Sequence, residues 1–113
     1  LHSSVLKWPD RNTVAAAAAE FARREAGHRQ GLLKLGYFGS YARGDWGVGS
    51  DLDLVAVVGN SGRTFSERPL DWDLPGLPVP AEILVYTATE WETVTGRGDR
   101  FATVMATEVV WLI

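Results

Sequence analysis

The sequence predicts an α/β or α+β fold, a single domain over residues 1–113 in which helices cover a mixed β-sheet. Three observations lead there. Helix-like segments alternate with short apolar runs rich in branched residues, the pattern of a sheet with helical cover. A chain of 113 residues holds one domain's worth of core and no second globular unit. A hydrophobic share of 46% with five tryptophans excludes a chain too polar to collapse.

The first element is a helix over Asn12 to Ala26. Ala15 to Ala19 are the best helix formers, Asn12 or Thr13 can cap the start, and Gly27 suits the exit. Val14, Ala18, Phe21 and Ala22 recur at helical spacing and form its apolar face, and the alanine run suits close packing on a sheet. Leu32 to Phe38 reads as a short buried strand between Gly31 and Gly39. Gly39 to Ser50 carries four glycines and reads as a turn region with one helical turn near Tyr41 to Asp45. Leu52 to Val58 is a β-branched strand ended by Gly59-Asn60. Gly59 to Pro80, rich in Gly, Pro, Ser and charge, is a long connection, and such connections are uncommon unless functional or mobile. A strand over Glu82 to Tyr86 follows, then a helix from Thr87 or Thr89 to Thr95 with the capping-box pattern Thr89-Glu90-Trp91-Glu92. Arg97, Asp99 and Arg100 form a solvated turn at the head of a helix over Asp99 to Thr107, and Val109 to Ile113 is a final apolar strand. Trp91, Phe101 and Trp111 fall at positions suited to packing.

Composition narrows the chemistry. Eleven basic and 14 acidic residues leave a net charge of −3, so the broad basic field of a nucleic-acid groove is missing. Zero cysteines exclude disulfides, thiolate catalysis and cysteine-ligated metals. His2 and His28 are far apart and are expected to be solvent-exposed, so any metal must be held by oxygen, as a hard cation such as Mg²⁺ is. No apolar run approaches a bilayer span and no secretory leader is visible, which leads to the expectation of a cytoplasmic protein.

The chemistry concentrates in one stretch, Gly39-Ser40-Tyr41-Ala42-Arg43-Gly44-Asp45-Trp46-Gly47-Val48-Gly49-Ser50-Asp51-Leu52-Asp53-Leu54. Alternate residues of a strand share a face, so Asp51 and Asp53 set two carboxylates side by side at the head of a buried run. Such a pair repels itself unless a cation lies between, and Mg²⁺ accepts two carboxylates together with phosphate oxygens and water. Gly39 lets a phosphate approach the backbone, Ser40 adds a hydroxyl, and Arg43 adds a fixed positive charge one turn later. A phosphate cradle facing metal-binding carboxylates is the layout for metal-assisted phosphoryl or nucleotidyl transfer. Gly44, Gly47 and Gly49 read as turn glycines, and Asp45 as a turn cap or a partner of Arg43. Trp46 either packs over the short helix or stacks on a base. Trp72, between two aspartates, is a partner contact, a lid or local packing.

Gly39-Ser40, ten residues, then Asp51-Leu52-Asp53 resembles the motif of the nucleotidyltransferase superfamily that includes DNA polymerase beta. The extended form is most similar to its small prokaryotic branch, the minimal nucleotidyltransferases (MNT), often paired with a HEPN-domain protein as a toxin–antitoxin system. The resemblance implies that Gly39 and Ser40 contact the β- and γ-phosphates of an NTP, ATP in the leading case. It implies that Asp51 and Asp53 bind two Mg²⁺ ions and that Arg43 lies near the triphosphate or supports the short helix. The family places a third acidic residue, usually aspartate, on a later neighbouring strand, and only Glu82 is available there. Glu82 either completes the metal site, or acts as the base, or is a strand-end residue in a simple ion pair. Transfer of a nucleoside monophosphate to a hydroxyl, such as a tyrosine of a HEPN-type partner, with this chain as antitoxin, is the implied activity. The chain could instead work as a homo-oligomer, and the second substrate's surface is expected on another chain. The competing readings are a catalytically silent module that neutralises or scaffolds a partner by contact, and an aminoglycoside-type nucleotidylating enzyme, which would need a further helical domain.

Overall fold

In the computed structural model, which describes residues 8–113, the first helix begins one residue earlier than the sequence suggests. Asp10, rather than Asn12 or Thr13, is its cap, because its carboxylate accepts a 2.8 Å hydrogen bond from the Thr13 amide. The helix, α1 (Arg11–His28), runs through Gly27, and the chain leaves it at Arg29, whose N–H donates to the Glu25 carbonyl. Its apolar stripe is the one the periodicity predicts: Val14, Ala18, Phe21 and Ala22 are all buried.

Four strands make one mixed sheet in the order β3-β2-β1-β4. They are β1 (Leu32–Phe38), β2 (Leu52–Val58), β3 (Ala81–Thr87) and β4 (Val110–Trp111). β1 is antiparallel to both β2 and β4, while β2 and β3 run parallel. The register aligns residues into rows across the strands. Tyr37–Leu54–Ile83 and Leu35–Ala56–Val85 are two such rows, all buried and in one cluster with the apolar stripe of α1. The other face carries the rows Phe38–Asp53–Glu82 and Gly36–Val55–Leu84. α3 (Ala88–Thr95) and α4 (Arg100–Thr107) accompany this face and bury Val94, Ala102 and Met105. The fold is therefore the expected mixed sheet between helical layers. The last strand is shorter than the predicted 109–113, and the four-residue α2 (Ser40–Arg43) starts a residue before the predicted turn.

Two other details depart from expectation. The capping box of α3 is built on Thr87, not Thr89: the Thr87 hydroxyl accepts from the Glu90 amide at 3.2 Å while Glu90 accepts from the Thr87 amide at 2.9 Å. β3 continues through Thr87, which leaves that threonine as the last extended residue before the helix. The connection 59–80 is also not open. It winds into two 3-10 turns, Phe65–Asp71 and Leu74–Gly76, tied to β3 and α3 by Arg68 within the first turn and to α1 by Trp72 just after it. Arg68, 7% exposed, donates to the Val85 carbonyl at 2.8 Å and to both oxygens of Glu90. Trp72 is 6% exposed, rests on Phe21 and lies under the Arg29 guanidinium, 3.8 Å from its ring centre. Arg29 is in turn held by the buried carboxylate of Glu25 and donates to the Asp71 carbonyl. Local packing is thus the role the structure gives Trp72.

Candidate active site

β1 ends at Phe38, and the chain turns at Gly39 with φ 77° and ψ −153°, a conformation essentially restricted to glycine. The turn is needed because the chain passes directly against the neighbouring strand. A methyl group on residue 39 would overlap Oδ2 of Asp53 and come within 3.2 Å of its Cγ. Ser40 opens α2, and among the described residues its hydroxyl has no hydrogen-bond partner. Arg43 closes α2 and pairs with Asp45 at 3.0 Å, and Gly44 leaves the helix in the left-handed conformation. Trp46 stacks on the buried ring of Tyr41, 5.6 Å between centres, which gives it a packing role over the short helix.

Asp53 sits in register with Phe38 on one side and Glu82 on the other. With Phe38, Leu54 and Leu84, the two carboxylates line a small cleft of about 80 Å³. Asp51 is exposed and stands just before β2, and Glu82 is exposed at the head of β3. Burial holds the Asp53 carboxyl above its usual range, repulsion from Glu82, Asp51 and Glu108 adds to the shift, and Arg43 opposes it. Four carboxylates therefore share a neighbourhood with one guanidinium. Larger hollows, of about 440 and 390 Å³, lie away from this row, along Leu74–Ala81 and between Phe65, Tyr86 and α3.

Sequence reasoning missed Glu108. It follows α4, its side chain is 16% exposed, and its Oε2 accepts a 2.8 Å hydrogen bond from the Gly39 amide. Arg43 also reaches both Glu108 oxygens, at 3.4 Å. The pairing of Tyr37 with Val110 sets this up, since two further steps along the antiparallel ladder bring residue 39 opposite residue 108. Its signal was faint: an acidic residue between a helix and a two-residue strand. His28 is exposed on α1, beside Glu25, and His2 lies outside the described residues. Trp91 and Trp111 meet edge-on at 5.8 Å, and Tyr86 contacts Trp91 and Phe101, so this aromatic group is half-buried packing.

In donor type and charge the carboxylates around Asp53 suit a hard divalent cation: they are oxygen ligands, and their mutual repulsion is what such a cation relieves. Among the described residues, no three acidic or histidine side chains converge into a ready-formed metal cluster.

A four-stranded mixed sheet flanked by helices in a single small domain has the fold of a nucleotidyltransferase. The family model of the nucleotidyltransferase domain matches residues 20–102, and the chain belongs to that family. Among solved structures, it is similar to a Sulfolobus solfataricus protein assigned as a nucleotidyltransferase, with a TM-score of 0.63 and 20% identity over 89% of this chain and 80% of that one. At that identity the likeness is one of fold. Comparison with curated proteins finds no match. No helix among the described residues is long and apolar enough to cross a membrane.

Proposed function

We propose that the chain is a Mg²⁺-dependent nucleotidyltransferase that moves a nucleoside monophosphate from an NTP, ATP in the leading case, to an acceptor hydroxyl. The observation that carries this reading is the contact of Gly39 with Asp53, which sets a strand-end Gly-Ser turn against the row Phe38–Asp53–Glu82. The Ser40 hydroxyl, without a hydrogen-bond partner among the described residues, and the half-exposed Arg43 guanidinium bind the triphosphate, one by hydrogen bond and one by charge. Asp51, Asp53 and Glu82 are the residues that would hold the metal, which when bound neutralises phosphate charge and acts as a Lewis acid. Glu82, in register with Asp53 on the edge strand, either completes that metal site or takes the proton of the acceptor hydroxyl. In the transfer that hydroxyl oxygen forms a bond to the α-phosphorus, the bond to the bridging oxygen breaks, and pyrophosphate leaves.

The motif's resemblance to the minimal nucleotidyltransferases supports an acceptor hydroxyl on a HEPN-type partner protein, with the chain in the antitoxin role and the cytoplasm as its compartment. The test is incorporation of labelled ATP into the co-purified partner or the chain itself. Asp53→Asn should abolish labelling, and equal labelling by the variant overturns the assignment.

One observation favours a second reading. Three carboxylates do not converge as they stand among the described residues, and Glu82 is exposed. That would suit a silent module of the same fold that neutralises a partner by contact. Titration calorimetry separates the two, since a silent module gives no heat with Mg²⁺-ATP.

A further inference from the structure

Glu108 comes from the far end of the fold, yet it ends on the two donors nearest the proposed phosphate position. Its Oε2 takes the Gly39 amide at 2.8 Å, and both its oxygens lie 3.4 Å from Nη1 of Arg43. The Glu108 side chain is 16% exposed, so its hydrogen bond to Gly39 is partly sheltered, while the half-exposed Arg43 guanidinium meets the carboxylate from the solvent side. The contact persists although Glu108 repels Asp53 and raises that residue's hold on its proton. A carboxylate and a phosphate ask for the same thing here: an amide N–H and a guanidinium converging on an anionic oxygen.

From this we infer that Glu108 is a built-in anion that occupies the triphosphate donors of the nucleotide-free protein and must be displaced before a nucleotide's phosphates can take Gly39 and Arg43. The inference rests on the function proposed above, and it assigns that site an internal competitor. Nothing about the backbone has to move far. Glu108 follows the last turn of α4 and precedes the short β4, so a rotation of its side chain releases both donors at once. Freed, Arg43 still has Asp45 at 3.0 Å to hold it beside the site. The competition lowers nucleotide affinity in exchange for a site whose positive groups are never left unpaired.

The experiment uses the full chain and two probes, inorganic tripolyphosphate without metal and ATP with Mg²⁺, each titrated calorimetrically and by the backbone amide signal of Gly39 in ¹⁵N-resolved spectra. Glu108→Gln keeps the shape and a neutral acceptor but removes the charge, and should bind tripolyphosphate about tenfold more tightly than the parent, the change expected when a charge-assisted contact becomes a neutral one. In the parent, tripolyphosphate should shift the Gly39 amide signal as one acceptor there is exchanged for another, and an unmoved Gly39 signal at saturating tripolyphosphate overturns the inference. Glu108→Asp is the second variant: one methylene shorter, it keeps the charge but loses its reach to Gly39, and should bind with intermediate affinity. If the parent binds but Glu108→Gln binds equally or more weakly, Glu108 supports the site and the inference is overturned while the proposed function stands. If neither probe binds parent or variants, the proposed function itself falls, and the inference with it.

Discussion

Asp53 rests so closely on Gly39 that the backbone of one leaves no room for a β-carbon beside the carboxylate of the other. The φ of 77° and ψ of −153° at Gly39 exclude L side chains for a second, independent reason. Gly39→Ala should therefore act twice. Forcing a methyl into that backbone region costs on the order of 1–3 kcal/mol of stability, read as a drop in the midpoint of thermal or urea unfolding. Pushing Asp53 aside should reduce nucleotide incorporation by roughly a hundredfold, the scale of an ångström's misplacement. An alanine variant with the parent's midpoint and rate would show that neither constraint operates.

Asp53 should trade stability for function. Its carboxyl sits above the ordinary value of 3.8, through burial first and then the charges of Glu82 and Asp51. The folded protein thus holds this proton more tightly than the unfolded chain. The group favours folding below the unfolded value, and that contribution is lost as pH rises through the higher folded one. At pH 7 the ionised carboxylate is a burden on the fold, and Asp53→Asn should raise the melting temperature by a few degrees while activity disappears. The stabilisation should shrink as pH falls towards 4, because the parent then carries a proton there too. Parallel melting curves across this range decide the point, and a variant less stable at pH 7 contradicts it.

How far the sequence could be read depended on the range of the interactions that decided each element. Leu52 to Val58 was legible to the residue because a β-branched run between Asp-x-Asp and Gly-Asn leaves no competing local choice. The buried face of α1 was legible for the same reason, its period being local. The capping box slid by two residues because Thr87-x-x-Glu90 and Thr89-x-x-Glu92 both fit the pattern, and only the length of β3 chooses between them. The connection 59–80 looked loose because its anchors are distant in sequence: Arg68 to Glu90, and Arg29 to Trp72. In the candidate site, the Gly-Ser turn and Asp53 fell together as their spacing suggested. Glu108 stayed hidden, since its partner is 69 positions away and the register of a two-residue strand brings them together.

The Arg68–Glu90 pair should make the connection acid-labile. Hydrogen bonds from Arg68, then from the Thr87 amide, hold the Glu90 carboxyl down to about 2 from an ordinary 4.5. A depressed carboxyl stabilises the fold above its unfolded value and loses that contribution as pH falls through the folded one. Between about pH 4.5 and 2 the parent should lose stability that Glu90→Gln, already weaker at neutral pH, does not lose again. With Glu90 42% exposed, the pair itself is partly screened, and the larger effect should come from the buried cation. Arg68→Met leaves the Val85 and Arg63 carbonyls without their donor and should cost about 2–4 kcal/mol. Urea unfolding of both variants at pH 7 and pH 3 checks the ranking, which fails if Glu90→Gln is the weaker of the two at pH 7.

Glu82 offers the cleanest separation of catalysis from folding. It is exposed, it has no ion pair among the described residues, and it is aligned with Asp53 at the open end of the row. Replacing it with glutamine removes a charge that repels Asp53, so the melting temperature at pH 7 should hold or rise slightly. If Glu82 completes the metal site or takes the acceptor's proton, the same change should lower nucleotide incorporation by roughly 10²–10⁴-fold, the usual contribution of a positioned acid or base. Mg²⁺ titration of the residual activity tells the two roles apart. A lost ligand raises the Mg²⁺ concentration needed for half-maximal rate, while a lost base lowers the rate at saturating Mg²⁺ and leaves that concentration alone. Glu82→Asp, which keeps the charge on a stem one methylene shorter, should recover part of the rate in either case. Full activity in Glu82→Gln would leave Glu82 as a solvated strand-end residue and place the chemistry on Asp51 and Asp53 alone.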